Sequence, residues 1–201
     1  MDRLNTYIRR VPAWALYVAG ALPAAGLLWL ALTGGLGVEP IKALEHELGE
    51  IALYLLVAGL AVTPLRRFAG LNLMSWRRAI GVLTFSYVFL HLLVWLVLDV
   101  QIPAQIWADI IKRPYVTVGF AAFLLLLPLA LTSNNWSVRR LGPRWRSLHK
   151  LVYPAAILAG LHYIWLVKGF QLEPLLWMAA ILGLLGLRLV PKRRANRLRQ
   201  A

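Results

Sequence analysis

Cysteine is absent from this chain of 201 residues. Disulfides, thiolate metal sites, iron–sulfur clusters and covalently attached c-type haem all require cysteine, so all four are excluded. Acidic residues are scarce, with 8 Asp and Glu against 22 Lys and Arg. Such an excess of positive charge occurs in nucleic-acid-binding proteins and in membrane proteins, and the positions of the charges decide between the two classes.

The chain also lacks the motifs of nucleotide-dependent redox enzymes. No G-x-G-x-x-G fingerprint follows a predicted strand, and no soluble segment is large enough to bind NADPH and FAD. The chain therefore cannot take hydride from a nicotinamide by itself. A phosphate-binding loop that would mark a flavin mononucleotide (FMN) site is absent as well.

Hydrophobic residues make up 60% of the chain, and the mean hydropathy is +0.67, which is too apolar for a soluble domain. A membrane-spanning helix needs roughly 20 mostly apolar residues. The first apolar run resembles a signal peptide, but it is long and has no clear cleavage site, so we expect it to be retained. We predict one all-α domain over residues 1–201, a polytopic membrane bundle of six transmembrane helices: Val11–Leu32, Gly49–Pro64, Ile80–Leu98, Tyr115–Leu131, Leu151–Val167 and Pro174–Val190.

The charges divide between the two sides of this bundle. With the N-terminus in the cytoplasm, every acidic residue except Asp2 falls outside. All Lys and Arg fall inside except Lys42, Lys112, Arg113 and Lys168. This asymmetry satisfies the positive-inside rule, so we predict a bacterial inner-membrane protein with both termini cytoplasmic. Topology and anionic membrane lipid then account for the charge, and no nucleic-acid partner is expected.

Two histidines are predicted at matched depth in the membrane. His91 and His162 each lie 11 residues after the start of a helix that runs outward, which is roughly 17 Å along the axis. Two imidazoles at one depth can bind the iron of a b-type haem from opposite faces, leaving no open coordination position. Such a site suits electron transfer. The alternative is that each histidine is packed in the bundle and hydrogen-bonded to another helix, but the matched depth favours haem.

A third histidine, His149, lies at the cytoplasmic start of the fifth helix. It lies about 20 Å from His162 along the axis, where a second haem would sit near the inner face. On a straight helix these two histidines point in different directions, unless Pro154 supplies a kink. The number of haems, one or two, stays open at this point.

Arg77 is expected at the depth of His149, because it shares a helical face with His91, about 21 Å away along the axis. Arg78 does not share that face. Arg77 either binds the second haem with His149 or pairs with a haem propionate or lipid phosphate. The polar run 132–135 is expected to be a helix cap or loop, and His46 a solvated loop residue.

Several sequence blocks together resemble the MsrQ (YedZ) family, the haem-binding membrane subunits of periplasmic methionine sulfoxide reductase systems. This family belongs to the ferric reductase-like transmembrane superfamily. The blocks cover roughly residues 75–165: Arg77-Arg78 with Gly81, Phe85, Tyr87 and Leu90-His91; Arg113-Pro114-Tyr115; Pro128 to Ser133; Leu141-Gly142, Trp145 and Leu148 to Tyr153; and His162-Tyr163 with Trp165.

The resemblance implies a non-catalytic electron-transfer subunit. It would take electrons from the respiratory quinone pool, or from a flavin reductase, and deliver them to MsrP. That partner is a periplasmic molybdopterin enzyme that repairs methionine sulfoxide in oxidised proteins. His91, His149 and His162 match the haem-ligand histidines of the family, and Arg77 stands where the superfamily has a fourth ligand. The FMN cofactor rests on the resemblance alone.

Two other functions compete with electron transfer. A small transporter predicts polar residues around a site at the middle of the membrane and broken helices in matched positions. Few embedded polar groups besides the histidines are present. A passive anchor for a periplasmic enzyme would not need histidines at matched depth.

Overall fold

The structure, a computed structural model, describes residues 2–167 and 169–190. This part of the chain is helical and contains no strand, which confirms the predicted all-α class. A π-helical turn, Trp95–Val100, continues the α-helix that ends at Val94, and a 3-10 turn, His149–Leu151, precedes the α-helix that begins at Val152. The α-helices are α1 (Asp2–Arg10), α2 (Ala13–Leu32), α3 (Pro40–Phe68), α4 (Arg77–Val94), α5 (Pro103–Lys112), α6 (Pro114–Leu131), α7 (Asn135–Leu141), α8 (Pro143–Leu148), α9 (Val152–Leu166) and α10 (Leu172–Leu189).

Five helices are long and apolar enough to cross a membrane: α2, α3, α4 with its π-helical extension, α6 and α10. They correspond to five of the six predicted spans. The remaining one, the fifth predicted span, corresponds to α9, which has 15 residues, fewer than the roughly 20 that a span needs, and its crossing stays a prediction. The basic tail from Lys192 to Arg199 and the loop residue Lys168 were assigned to sides of the membrane, and both lie outside the described residues.

Helix α3 begins nine residues earlier than the predicted second span, at Pro40. Proline is favoured at a first helical position because its missing N–H has no partner there. The added turns look polar as a run, but they carry Leu44 and Leu48, which pack with Ala52 on one buried stripe. His46 therefore lies in a helix, on its exposed face, and its prediction as a loop residue is wrong.

Two helix pairs make the most extensive contacts, α3 with α4 and α6 with α9. Helix α10 packs against both α3 and α9, and so helps to hold the two pairs together. Helix α2 has no buried residue and packs against α3 and α4. The hydroxyl of Tyr87, a buried residue of α4, donates to the carbonyl of Gly20 at 2.6 Å and accepts from the N–H of Ala24 at 3.1 Å. These hydrogen bonds fasten α2 to the bundle.

The two ends of the bundle carry opposite charges. Glu39 precedes α3, and Glu45 and Glu47 lie in its first turns. Arg66 and Arg67 lie in the last turn of α3, and Arg77 and Arg78 begin α4 at the same end of the bundle. We call these the acidic end and the basic end. Both α4 and α9 run from the basic end to the acidic end, because each follows a helix that runs the other way and packs against it.

Short helices lie at each end. At the basic end, the side chain of Asn134 accepts a hydrogen bond from the N–H of Ser137 at 2.8 Å and caps α7, which confirms the predicted cap. At the acidic end, α5 leads directly into α6. Arg113 in the turn between them contacts Asp109 of α5 at 3.2 Å, and Thr117 of α6 bonds the carbonyl of Ile110.

Candidate functional site

The structure brings the imidazole of His91 in α4 and that of His162 in α9 together, with the rings edge-on to each other. Their ring centroids are 6.2 Å apart and their planes are inclined by 75°. Two imidazoles on opposite sides of one metal ion have centroids roughly 6 Å apart, because each metal–nitrogen bond is about 2 Å long. The spacing therefore suits a shared axial ligand pair, although haem ligation itself stays a prediction.

Both imidazoles are held by backbone carbonyls. Nδ1 of His91 lies 2.8 Å from the carbonyl oxygen of Glu45 in α3, and Nδ1 of His162 lies 2.8 Å from that of Tyr115 in α6. A carbonyl only accepts, so each Nδ1 carries the proton and each Nε2 keeps a lone pair. Histidines that bind metals almost always donate their other ring N–H in this way. The pair therefore fits a bis-imidazole haem in tautomer as well as in distance.

The pair lies where α4 contacts α3 and α9 contacts α6. Among the described residues, no group of three or more His, Asp and Glu converges on a common point. Both rings are half-buried between helices. Glu45 is the sixth residue of α3 and Tyr115 the second of α6, and both helices start at the acidic end. The pair therefore lies nearer the acidic end than the basic end.

His149 has the opposite tautomer. The hydroxyl of Thr132 donates to the carbonyl of Pro128 at 2.6 Å, so its oxygen accepts from Nε2–H of His149 at 3.1 Å. The indole of Trp145 stacks on His149 at 3.8 Å between centroids, and its N–H donates to the carbonyl of Thr132 at 2.9 Å. In this position His149 presents only Nδ1 to a metal ion, so ligation through Nε2 requires the ring to leave Thr132.

The ring of His149 is nevertheless suited to remain neutral. Partial burial lowers the pKa of His149 below its ordinary value, and the nearby positive charge of Arg77 lowers that pKa further. A neutral imidazole is the form that binds metals. Its role as a haem ligand stays a prediction.

The 3-10 turn changes the direction of His149 relative to His162. Three residues of 3-10 helix advance the chain by about 60° more than three residues of α-helix would. The straight-helix calculation therefore overstates the angle between the two side chains. Pro154 is not the cause, because it lies in the first turn of α9, where proline is tolerated without a kink.

A cavity of about 320 Å³ opens beside His149 at the basic end. Arg77 and His149 both line it, so the structure brings these two predicted residues together. Arg78 lines it too, and donates to the side chain of Asn135 at 2.7 Å. The other lining residues are Leu56, Gly59, Leu60, Met74, Gly81, Thr84, Phe85, Leu126, Leu129, Ala130, Ser133, Trp145, Val152 and Arg188.

Arg188 was not predicted as part of this site. Its guanidinium donates to the hydroxyl of Tyr153 at 3.0 Å and to the carbonyl of Leu60 at 2.7 Å. It lies in the last turn of α10, where a basic residue is an ordinary end-of-span feature. Three arginines and one histidine therefore line the cavity, which suits an anionic group such as a phosphate or carboxylate.

Comparison with known proteins identifies the family of the chain. Residues 48–160 match the family described as "Ferric reductase like transmembrane component". The heme-binding subunit MsrQ of the protein-methionine-sulfoxide reductase of Agrobacterium fabrum is 50% identical over 178 residues, which cover 88% of this chain and 83% of that protein.

The corresponding subunits of Brucella ovis and Brucella canis are each 46% identical over 177 residues, which cover 88% of this chain and 80% of theirs. No solved structure matches the chain. The family match covers more than half of the chain and includes His91 and His149. The chain therefore belongs to the ferric reductase-like transmembrane family and, within it, to the MsrQ proteins.

Proposed function

We propose that the chain binds a b-type haem between His91 and His162 and serves as the electron-transfer subunit of a protein-methionine-sulfoxide reductase. The observation that carries this proposal is the pair of imidazoles at 6.2 Å, each with its Nδ1 held by a carbonyl. The similar proteins are named as heme-binding subunits of that reductase. A haem with two imidazole ligands exchanges single electrons and has no open position for oxygen chemistry.

The membrane topology supplies the direction of transfer. We place the basic end in the cytoplasm and the acidic end in the periplasm of a bacterial inner membrane, on the positive-inside rule. Arg66, Arg67, Arg77 and Arg78 at one end and the glutamates at the other support this orientation. The histidine pair then lies near the periplasmic side, where a molybdopterin partner of the MsrP kind would dock and receive electrons.

The electron donor acts from the membrane or from the cytoplasmic side in this proposal. The quinone pool and a flavin reductase are both consistent with a chain that lacks a nicotinamide-binding motif. FMN is retained as a cofactor on family membership alone. The basic-end cavity is the natural place for a second redox group, since a single haem near the acidic end leaves a long gap to a cytoplasmic donor.

A second haem in that cavity, with His149 as one ligand and Arg77 beside it, extends the proposal. The shared cavity and the neutral imidazole support it. The bond from His149 to Thr132 counts against ligation through Nε2 unless the ring moves. Arginine is normally protonated and a poor metal ligand, so Arg77 suits a propionate better than the iron.

The alternatives from the sequence, a small transporter and a passive anchor, do not account for the paired imidazoles. Neither function requires two histidines whose Nδ1 atoms both donate to carbonyls and whose ring centroids lie 6.2 Å apart.

The haem site is tested with purified wild type, His91→Ala, His162→Ala and the control His46→Ala. His46 lies on α3 near the same end but is exposed. We expect a reducible Soret band and a low-spin bis-imidazole signal in wild type and control, with loss of both signals in the two variants. Wild-type haem content and reduction kinetics in both His91→Ala and His162→Ala would show that the assignment is wrong.

A further inference from the structure

Each imidazole of the pair rests against a glycine one helical turn beyond the carbonyl that holds it. His91 bonds to the carbonyl of Glu45, and a Cβ on Gly49 would lie 3.1 Å from its Nδ1. His162 bonds to the carbonyl of Tyr115, and a Cβ on Gly119 would lie 2.7 Å from its Nδ1 and 2.9 Å from its Cε1. A side chain at either glycine would therefore press against the imidazole, more severely at Gly119 than at Gly49.

The helix geometry explains why glycine stands at these positions. The carbonyl of residue i accepts the N–H of residue i+4, and its second lone pair is directed beside that residue. A side chain at i+4 would cover this second acceptor direction. Gly49 follows Glu45 by four residues, and Gly119 follows Tyr115 by four. Glycine leaves the carbonyl accessible to an imidazole from the neighbouring helix.

The arrangement occurs twice in the chain at nearly constant spacing. Tyr115 and Gly119 each lie 70 positions after Glu45 and Gly49, and His162 lies 71 positions after His91. The two copies belong to the two closely packed helix pairs, α3 with α4 and α6 with α9. Repetition of a carbonyl, a glycine and a histidine in both pairs indicates a requirement of the site.

Other glycines of the described helices do not share this feature. A Cβ on Gly26, Gly183 or Gly186 would meet nothing within 4 Å, and one on Gly160 would meet the flexible end of Met178. Glycine is frequent in membrane helices, so a helical glycine alone marks no site. Gly49 and Gly119 differ because an imidazole occupies the space beside each of them.

We propose that Gly49 and Gly119 are positioning residues for the haem-ligating histidines. By leaving the two carbonyls open, they allow the Nδ1–H bonds that fix the tautomer, the ring orientation and the basicity of each imidazole. This inference rests on the proposed haem between His91 and His162. It assigns the geometry of the ligand pair to α3 and α6, which carry no ligand themselves.

The two glycines differ in how closely they constrain the rings. The contact at Gly119 is below 3.0 Å to two ring atoms, so His162 must shift if alanine replaces the glycine. The contact at Gly49 is 3.1 Å, so a small displacement of His91 suffices. We therefore expect Gly119→Ala to have the larger effect and Gly49→Ala a smaller effect in the same direction.

The experiment compares the full-length wild type, Gly119→Ala, Gly49→Ala and the control Gly183→Ala, each purified with haem. The readouts are the ferric low-spin electron paramagnetic resonance signal, the midpoint potential and haem retention. A longer and weaker hydrogen bond from Nδ1–H to the carbonyl oxygen makes the imidazole less basic, which favours ferrous iron. We expect a shifted low-spin signal, a higher potential and about 10-fold to 100-fold weaker haem retention in Gly119→Ala.

Gly183→Ala should match wild type, and Gly49→Ala should shift the low-spin signal and the potential in the same sense as Gly119→Ala. If Gly119→Ala retains no haem, Gly49→Ala decides: a shifted signal and potential support the inference, and wild-type values overturn it. Wild-type signal and potential in both variants also overturn it. In parallel, His91→Ala and His162→Ala separate the two proposals: if these variants keep the low-spin signal, the haem site itself is wrong.

Discussion

The hydroxyl of Thr132 accepts a hydrogen bond from Nε2 of His149 at 3.1 Å, while Nε2 of the other two half-buried histidines is left without a hydrogen bond to the described residues. His149 therefore carries its ring proton on Nε2, whereas His91 and His162 carry theirs on Nδ1. A second haem bound through Nε2 of His149 would have to compete with Thr132, so the occupancy of that site depends on this hydroxyl.

The second-haem proposal expects two haems per chain in wild type and one in His149→Ala. Thr132→Val, which keeps the side-chain shape and removes the competing oxygen, should retain the second haem more tightly than wild type does. Haem is quantified per chain by the pyridine haemochrome assay, together with Arg77→Ala. A fall to one haem in Arg77→Ala as well supports shared ligation, whereas two haems there leave Arg77 as a propionate or phosphate partner. One haem in wild type, unchanged in His149→Ala, ends the proposal.

Arg113 is predicted to stabilise the start of α6 by pairing with a buried carboxylate. Asp109 is 7% exposed, and its Oδ1 lies 3.2 Å from Nε of Arg113. Removing the arginine leaves the carboxylate without its partner, and because the Arg113 side chain is 49% exposed we expect a loss of about 1 to 2 kcal/mol. Thermal unfolding of Arg113→Ala in detergent measures the loss.

The double variant Asp109→Leu with Arg113→Ala is the matched control. It removes the buried charge together with its partner, so most of the stability should return. Because Tyr115 follows two residues after Arg113 and its carbonyl holds His162, the single variant should also broaden the low-spin haem signal. Equal stability of the single variant and wild type would contradict this account of the turn.

The sequence was sufficient to predict the parts of the site that depend on depth along a helix. His91 and His162 are brought together, as their equal distance from the predicted starts of their spans suggests, and the apolar runs locate five spans. The start of α3 was missed because a count of apolar residues ignores which face they occupy. Leu44 and Leu48 continue a buried stripe through a run that reads as polar.

The carbonyls that hold the two rings were not predictable in the same way. Every residue has a carbonyl, so nothing in the identity of Glu45 or Tyr115 marks it as an acceptor for histidine. The available signal was the spacing of Gly49 and Gly119 from those residues and from the histidines, which becomes meaningful once the packed helix pairs are known. The 3-10 turn before α9 likewise carries no clear sequence mark, and it alters the direction of His149.

Electron entry is expected to depend on a donor in the membrane or on the cytoplasmic side. Inner-membrane vesicles depleted of quinone should lose reduction of the chain, because the chain has no nicotinamide-binding motif. Adding back a quinone, or a flavin reductase with its own substrate, should restore reduction, as followed by the reduced haem absorption. Undiminished reduction in depleted vesicles with neither donor present would refute this part of the proposed function.

The absence of cysteine makes the topology directly measurable. Single cysteines can be introduced at Val38, which is 100% exposed beside the acidic end, and at Ala69, which is exposed beside the basic end. A thiol reagent that cannot cross the inner membrane should label Val38→Cys in cells with a permeabilised outer membrane. The same reagent should label Ala69→Cys only after the inner membrane is opened, because the positive-inside rule places the arginine-rich end in the cytoplasm.

Wild type, which offers no thiol, is the blank. The reverse labelling pattern would invert the bundle, moving the histidine pair toward the cytoplasm and removing the reason for a periplasmic electron acceptor.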